Sequence, residues 1–324
     1  MNGAVRWGFL STAHINDRLL SGAADSDRVD VIAVASRDAA RAEAYARERG
    51  MERAYGTYEE LLADPDVEAV YISLPNSLHV EWSIRALKAG KHVLCEKPLS
   101  RRAEDVERAF DAADRADRLL MEAFMYRHNP QTAKLVELVS GGAVGRLRLV
   151  RAAFSFRLAD ADNVRLNASL DGGGLMDVGC YCVSGLRLLG GEPEQVYGEQ
   201  VISQSGVDEL FTGTMRLHGD VLAQFDAGLF VSERDELEAI GEEGSLFLDD
   251  PWHCERPVIE LRTADGMEEI AVAPADSYRL QLENISNAIR GEAEPLLGRD
   301  DAVGQARAIE ALYRSAADGR PVKL

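Results

Sequence analysis

The sequence predicts an α/β Rossmann domain, a doubly wound parallel sheet, followed by an α+β domain with a large, mostly antiparallel open sheet. Three observations lead there. Short β-branched runs alternate with longer helix-period stretches over the first 120 residues. Near residue 145 this gives way to closely spaced alternating strands. At 324 residues the chain has room for about two domains.

The strands expected in the first part are 5–10, 29–35, 69–74, 92–95 and 119–123, all short and apolar, as strands covered on both faces are. Helices are expected between them over 39–49, 78–89 and 103–115. The first two are stopped by Gly50 and Gly90, the usual residue just past a helix C-terminus. The second set of strands is 147–156, 195–202, 211–217, 221–227, 237–240, 245–248, 258–262 and 268–273, with hairpin-length turns such as His218-Gly219-Asp220. One helix interrupts them at 176–189, and two more, 277–290 and 301–317, close the chain. The expected domains are therefore 1–122 and 123–324, with the C-terminal helices packing back on the first.

A hydrophobic fraction of 46% with 28% charged residues is that of an ordinary water-soluble chain. Thirty-six basic against 55 acidic side chains leave a net charge of −19, which repels phosphate polymers and anionic bilayers, so neither nucleic acid nor a membrane is an expected partner. Cys95, Cys180, Cys182 and Cys254 form no CxxC pair and no zinc-ligand spacing, and the six histidines form no HxH or HxxxH, so no metal is expected. The first eight residues show no basic leader segment and no apolar run spans a bilayer, which together with the cysteine usage suggests a reducing cytoplasm.

In a doubly wound sheet the ligand lies at the carboxyl ends of the strands, with a pyrophosphate over the N-terminus of the helix after strand one. Here that turn reads Gly8-Phe9-Leu10-Ser11-Thr12-Ala13-His14-Ile15-Asn16 and lacks GxGxxG. Ser11 and Ala13 occupy the places of the first two glycines and Asn16 that of the third. Small side chains still permit close backbone approach, and the Ser11 and Thr12 hydroxyls can donate to phosphate, so a weakened site is expected over Ser11, Thr12, Ala13, His14 and Ile15. The second strand ends in Ser36-Arg37-Asp38. An acidic residue at this place suits the ribose 2′-OH of NAD, whereas a Ser and Arg pair suits a 2′-phosphate. The alternative is that Asp38 caps the next helix and Arg37 is merely solvated. A cation there opposes the helix macrodipole by roughly 0.3–1 kcal/mol, which favours an anion nearby. NADP is the expected cofactor, ahead of NAD.

Leu74-Pro75-Asn76-Ser77-Leu78-His79, Cys95-Glu96-Lys97-Pro98-Leu99 and Asp177-Val178-Gly179-Cys180-Tyr181 resemble the glucose-fructose oxidoreductase and inositol dehydrogenase family over nearly the whole chain. Met121-Glu122-Ala123-Phe124-Met125-Tyr126-Arg127 is similar to its branch of dimeric dihydrodiol dehydrogenases and NADP-dependent xylose dehydrogenases. The resemblance implies that Lys97 lies beside the nicotinamide, that Tyr181 is the proton acceptor in oxidation and the donor in reduction, and that Asp177 holds a substrate hydroxyl. An ammonium beside a phenol favours the phenolate. Asp177 precedes Tyr181 by four residues, so on a helix both project from one face, and Gly172-Gly173-Gly174 lets the chain turn tightly into it. Leu74, Pro75, Asn76, Glu96, Arg127 and Tyr278 join the implied cofactor set.

Other residues leave two readings open. His79 is either a cofactor neighbour or a hydrogen-bonded residue at a helix start. Phe154, Phe156 and Arg165 either line a sugar-sized pocket or, for the aromatics, pack in a core. The expected function is an NADP-dependent hydride transfer at a carbinol or carbonyl carbon of a sugar or polyol, with a xylose-type aldose 1-dehydrogenase first. A 3-ketosugar reductase and a trans-dihydrodiol dehydrogenase are the enzymatic alternatives, and a non-catalytic NADP-binding sensor is the alternative of another class. A homo-oligomer, dimer or tetramer through the second sheet, is also expected.

Overall fold

Six parallel strands in the order β3-β2-β1-β4-β5-β6 make the first sheet of the computed structural model, which describes residues 3–160 and 162–324. Two residues of the expected leaderless start, Met1 and Asn2, lie outside the described residues. The chain forms two compact units: residues up to 100 with 104–125 and 276–303, and residues 101–103 with 126–275 and 304–324. The chain thus passes from one unit to the other several times.

In the first unit, β1 (Val5–Leu10) runs between β2 (Val29–Ala35) and β4 (Ala69–Ile72), followed outward by β5 (His92–Cys95) and β6 (Leu120–Glu122). These strands are apolar on both sides because helices cover both faces. Trp7, Phe9, Tyr71 and Ile72 have no exposed surface, and Phe9 meets Tyr71 edge-on at 5.2 Å between ring centroids. The covering helices are α1 (Asn16–Ala24), α2 (Ala39–Arg49), α3 (Tyr58–Ala63), α4 (His79–Lys88), α5 (Ala103–Ala116) and, late in the chain, α8 (Ser277–Ile289). Two elements, β3 (Arg53–Tyr55) and α3, were not expected. The strand has three half-buried residues and no apolar run, and α3 is a single capped turn in which Thr57 and Glu60 satisfy each other's backbone N–H groups. Helix α8 lies against α1 so closely that a Cβ on Gly22 would come within 2.7 Å of the Arg279 backbone nitrogen.

In the second unit, nine strands run β14-β13-β12-β11-β7-β10-β9-β8-β15. They are β7 (Leu147–Arg157), β8 (Pro193–Ile202), β9 (Asp208–Leu217), β10 (Leu222–Gly228), β11 (Phe230–Gly241), β12 (Gly244–Leu248), β13 (Val258–Thr263), β14 (Gly266–Ala271) and β15 (Val322–Lys323). Pairing is antiparallel as expected, except that β10 runs parallel to β7. Helix α6 (Pro130–Ser140) was also not expected; Asn129 caps it and Pro130 opens it, both favourable at a helix start. The expected helix 176–189 begins instead as a π-helical turn, Leu175–Gly179, and continues as α7 (Cys180–Gly190), which lies on β7 and β10. Helix α9 (Arg299–Asp318) ends the helical part of the chain.

Candidate active site

The first unit assembles its loops at the carboxyl ends of β1, β2, β4 and β5, with the topological switch between β1 and β4. Ser11, just past β1, adopts φ 135°, a conformation ordinarily left to glycine. Its hydroxyl donates to the Ser73 carbonyl at 3.0 Å and lies 2.7 Å from the Ser73 hydroxyl. Asn16, fully buried, closes the network: its amide donates to the Ser11 carbonyl at 2.9 Å and its oxygen accepts from the Ser73 hydroxyl at 2.7 Å. The loop therefore keeps the glycine-type turn with side-chain hydrogen bonds in place of glycine. The next residues, Thr12, Ala13, His14 and Ile15, are at least partly exposed, and among the described residues no side chain caps the N-terminus of α1 at Ile15. A helix start without a side-chain cap suits a phosphate group.

At the end of β2, Asp38 does cap α2, accepting the Arg41 N–H at 3.2 Å, and the buried Ser36 hydroxyl accepts from the Asp38 N–H at 3.3 Å. Arg37 is exposed, with its guanidinium beside the Tyr58 hydroxyl. The carboxylate at this place is thus engaged with the helix, and a cation faces outward.

Lys97 sits in a braced segment. The Tyr71 hydroxyl donates to Glu96 at 2.5 Å, and the Leu99 N–H donates to Glu122 at 2.7 Å. The Lys97–Pro98 peptide is cis. His79 has no exposed surface, and its Nδ1 and Nε2 lie 2.9 Å and 2.7 Å from the carbonyl oxygens of Pro98 and Leu74. Of the two readings of His79 the structure therefore supports the brace: the ring ties the loop after β4 to the Lys97 segment and presents no surface to a ligand. Pro75, Asn76, Glu96 and Lys97 retain partial exposure, while Leu74 is buried. Tyr278 stands half-buried in the first turn of α8, after the Asp276 cap.

Asp177 and Tyr181 lie in the second unit. Asp177, in the π-helical turn, accepts from Arg165 Nε at 2.6 Å. Tyr181 opens α7 at 7% exposure inside an aromatic cluster, its ring centroid 5.4 Å from Phe154, 5.9 Å from Tyr126 and 5.9 Å from Trp252. Phe154 and Phe156 are half-buried, and the Arg165 guanidinium lies 5.9 Å from the Phe156 ring. The structure thus pairs Arg165 with Asp177 and packs Tyr181 on Phe154. Arg127, expected among the cofactor residues, belongs to this unit, where its Nη1 lies 3.5 Å from the Ser184 hydroxyl. Trp252, whose indole N–H donates to the Ala153 carbonyl at 3.1 Å, is part of the cluster, yet no spacing in the sequence marks it.

Beside that cluster His253 Nδ1 lies 2.7 Å from Asp235 and 3.6 Å from Asp250. Asp235, then Asp250, raise the His253 imidazole to about 10, while burial raises the Asp235 carboxyl despite the bond. The three could be ligands to an ion by spacing alone, but His253 Nδ1 is hydrogen-bonded to Asp235, and Asp250 accepts the Glu255 and Arg256 N–H groups.

Residues 6–124 match the model of an oxidoreductase family with an NAD-binding Rossmann fold, and residues 132–247 match the GFO/IDH/MocA C-terminal domain. The chain belongs to the GFO/IDH/MocA oxidoreductase family. It is 38% identical over 325 residues to D-xylose 1-dehydrogenase (NADP(+)) 2 of Haloferax volcanii, covering 99% of this chain and 100% of that one. Among solved structures it is similar to an aldose-aldose oxidoreductase of Caulobacter crescentus, with TM-score 0.92 and 28% identity over 99% of this chain and 100% of that one. It is also similar to a 3-ketoreductase of Actinomadura kijaniata in complex with NADP and TDP-benzene, with TM-score 0.91 and 29% identity over 96% and 98% of the two chains. Among the described residues no helix is long and apolar enough to cross a membrane.

Proposed function

We propose that this GFO/IDH/MocA oxidoreductase uses NADP to interconvert a sugar carbinol and its carbonyl, with C1 of a xylose-type aldose as the first substrate. The observation that carries the cofactor choice is the end of β2, where Arg37 is exposed and the neighbouring Asp38 is spent on capping α2. A ribose 2′-phosphate finds a guanidinium there, whereas the neighbouring acid, Asp38, already accepts the Arg41 N–H.

When bound, the nicotinamide accepts or delivers the hydride. The chain's own residues supply the rest. Lys97 and Tyr181 handle the proton of the substrate hydroxyl, Tyr181 taking it in oxidation and returning it in reduction. The Asp177–Arg165 pair orients sugar hydroxyls by offering an acceptor and a donor side by side. Phe154 gives the sugar's apolar face a wall to lie against. Reduction of a ketosugar, the chemistry of the Actinomadura relative, uses the same groups in the opposite sense, and a trans-dihydrodiol dehydrogenase would use them in the same sense on a different diol.

The experiment is to offer NADP⁺ or NAD⁺ with a panel of aldoses, inositols and dihydrodiols, and NADPH with ketosugars, following nicotinamide absorbance. Turnover with NADP and an aldose supports the reading. Lys97→Met and Tyr181→Phe should each lose orders of magnitude in kcat while still binding NADPH. Cofactor binding without turnover of any substrate would instead favour a non-catalytic sensor. The reading includes a homo-oligomer formed through the nine-stranded sheet, where Leu222 on β10 is 48% exposed, and a cytoplasmic location; a monomeric mass at micromolar concentration would remove the former.

A further inference from the structure

Asp208, the first residue of β9, is a carboxylate at 3% exposure that the chemistry above does not use. A buried carboxylate is held only where hydrogen bonds replace its water. Here Oδ2 accepts the backbone N–H of Leu175 at 2.6 Å and Oδ1 accepts the Tyr313 hydroxyl at 2.9 Å. Leu175 is the first residue of the π-helical turn that contains Asp177 and runs into Tyr181. Gly174, which precedes it, has no side chain to cap the turn, so the orphan N–H at its start is satisfied from a different element. Gly173, at φ 121°, passes so close that a Cβ there would overlap Asp208 Oδ1. The glycines expected for a tight turn are therefore also the gap through which the carboxylate reaches the turn.

The partners of Asp208 are themselves fixed. Tyr313, on α9, lies under the Arg101 guanidinium, 4.2 Å from its ring centroid, and Arg101 Nη1 is 3.5 Å from Asp171. Arg101 and Asp171 are the charged groups of this surround, with Tyr313 its hydroxyl donor. π-helical turns interrupt regular helices at a local energetic disadvantage and are frequent at functional sites. An external clamp on the first N–H of such a turn sets where its side chains point.

We propose that Asp208 is a positioning residue for the reaction, holding the turn at Leu175 so that Asp177 and Tyr181 are presented to the substrate together. The proposal rests on the oxidoreductase reading given above. Burial lifts the Asp208 carboxyl to about 6, against the lowering effect of the Leu175 and Tyr313 bonds and of Arg101. The anion is the form that accepts both bonds; protonation turns one acceptor into a donor and loosens the clamp as pH falls through that value.

The test measures kcat and KM for the sugar from about pH 5 to about pH 8, with NADPH affinity by fluorescence titration, in the unaltered protein, Asp208→Asn and Tyr313→Phe. The unaltered protein should show an acid limb in kcat near pH 6. Asp208→Asn should remove that limb, lower kcat at neutral pH by about tenfold and leave NADPH affinity within about twofold. Tyr313→Phe should move the limb to higher pH, because the lost hydroxyl bond had lowered the Asp208 carboxyl. A purely structural role predicts no movement of the limb. No turnover by the unaltered protein overturns the underlying reading and this assignment with it. Turnover with a limb indifferent to both substitutions, or a kcat loss in Asp208→Asn that only tracks a fall in Tm, overturns the assignment of Asp208 alone.

Discussion

Arg165 donates its Nε–H to Asp177 at 2.6 Å, in a pair whose acid is 13% exposed and whose guanidinium is 41% exposed. The carboxylate is thereby aimed by a cation from the loop after β7, and the cation is still reachable from solvent. With the guanidinium partly in solvent, a charge-assisted bond of this kind contributes about 1 kcal/mol when its geometry is kept. Arg165→Ala is expected to raise KM for the sugar by about tenfold with a smaller loss in kcat and no change in cofactor affinity. Arg165→Lys should recover only part, since an ammonium lacks the planar fork. Steady-state kinetics at saturating NADP decide it, and an unaltered KM in Arg165→Ala would take the pair out of substrate binding.

His79 bridges two loops through the carbonyls of Leu74 and Pro98. Replacing it by Leu removes the ring N–H that one of these buried carbonyls accepts, at about 1–3 kcal/mol before relaxation. His79→Leu should therefore lower the denaturation midpoint clearly and reduce kcat by loosening the segment of Lys97. Full activity and full stability in the variant would show that the bridge is dispensable.

Arg37 gives the sharpest cofactor prediction. Arg37→Ala should raise KM for NADP by about tenfold to a hundredfold and leave KM for NAD nearly unchanged, the loss being one exposed guanidinium–phosphate contact. Parallel titrations with both cofactors test this, and equal losses would assign Arg37 to the surface alone.

The parallel sheet was legible because its strands are apolar on both faces, and the second sheet because its strands alternate; both signals are local. The elements not seen, β3, α3, α6 and the two-residue β15, carried weaker or different marks. β3 pairs only three residues and has no apolar run, while α3 and α6 announced themselves by caps, Thr57 with Glu60 and Asn129 with Pro130, rather than by periodicity. Among the candidate functional residues, Lys97, Asp177 and Tyr181 were named through motif resemblance. Their supports were not, because a brace such as Glu122 to Leu99 or a clamp such as Asp208 to Leu175 joins residues 23 and 33 apart that no short pattern connects. Asn16 is the instructive case. It sits where a third glycine was looked for, and its side chain does structurally what the missing glycine leaves undone.

His253 predicts a pH dependence of stability. Bonding to Asp235 and Asp250 raises its folded value from 6.5 to about 10. A group raised on folding contributes fully below its unfolded value and loses that contribution as pH rises through the folded one. The stability difference between the unaltered protein and His253→Gln should therefore be constant below pH 6.5 and shrink between there and about 10. With 47% of the side chain exposed, solvent screening holds the difference to about 1 kcal/mol or less. Urea denaturation at several pH values measures it, and a difference that grows with pH would have the wrong sign.

Ser11 separates backbone strain from side-chain bonding. Its φ of 135° strains any residue with a Cβ by about 1–3 kcal/mol, whereas its hydroxyl gains bonds to Ser73. Ser11→Ala keeps the strain and loses the bonds, so it should destabilise by about 1–2 kcal/mol. Ser11→Gly loses the same bonds but releases the strain, at the expense of a more flexible unfolded chain, and should fall close to the unaltered protein. The ordering Gly above Ala, read from denaturation midpoints, is the discriminating result; Ala at or above Gly would mean that the turn is not held in a glycine-type conformation in solution.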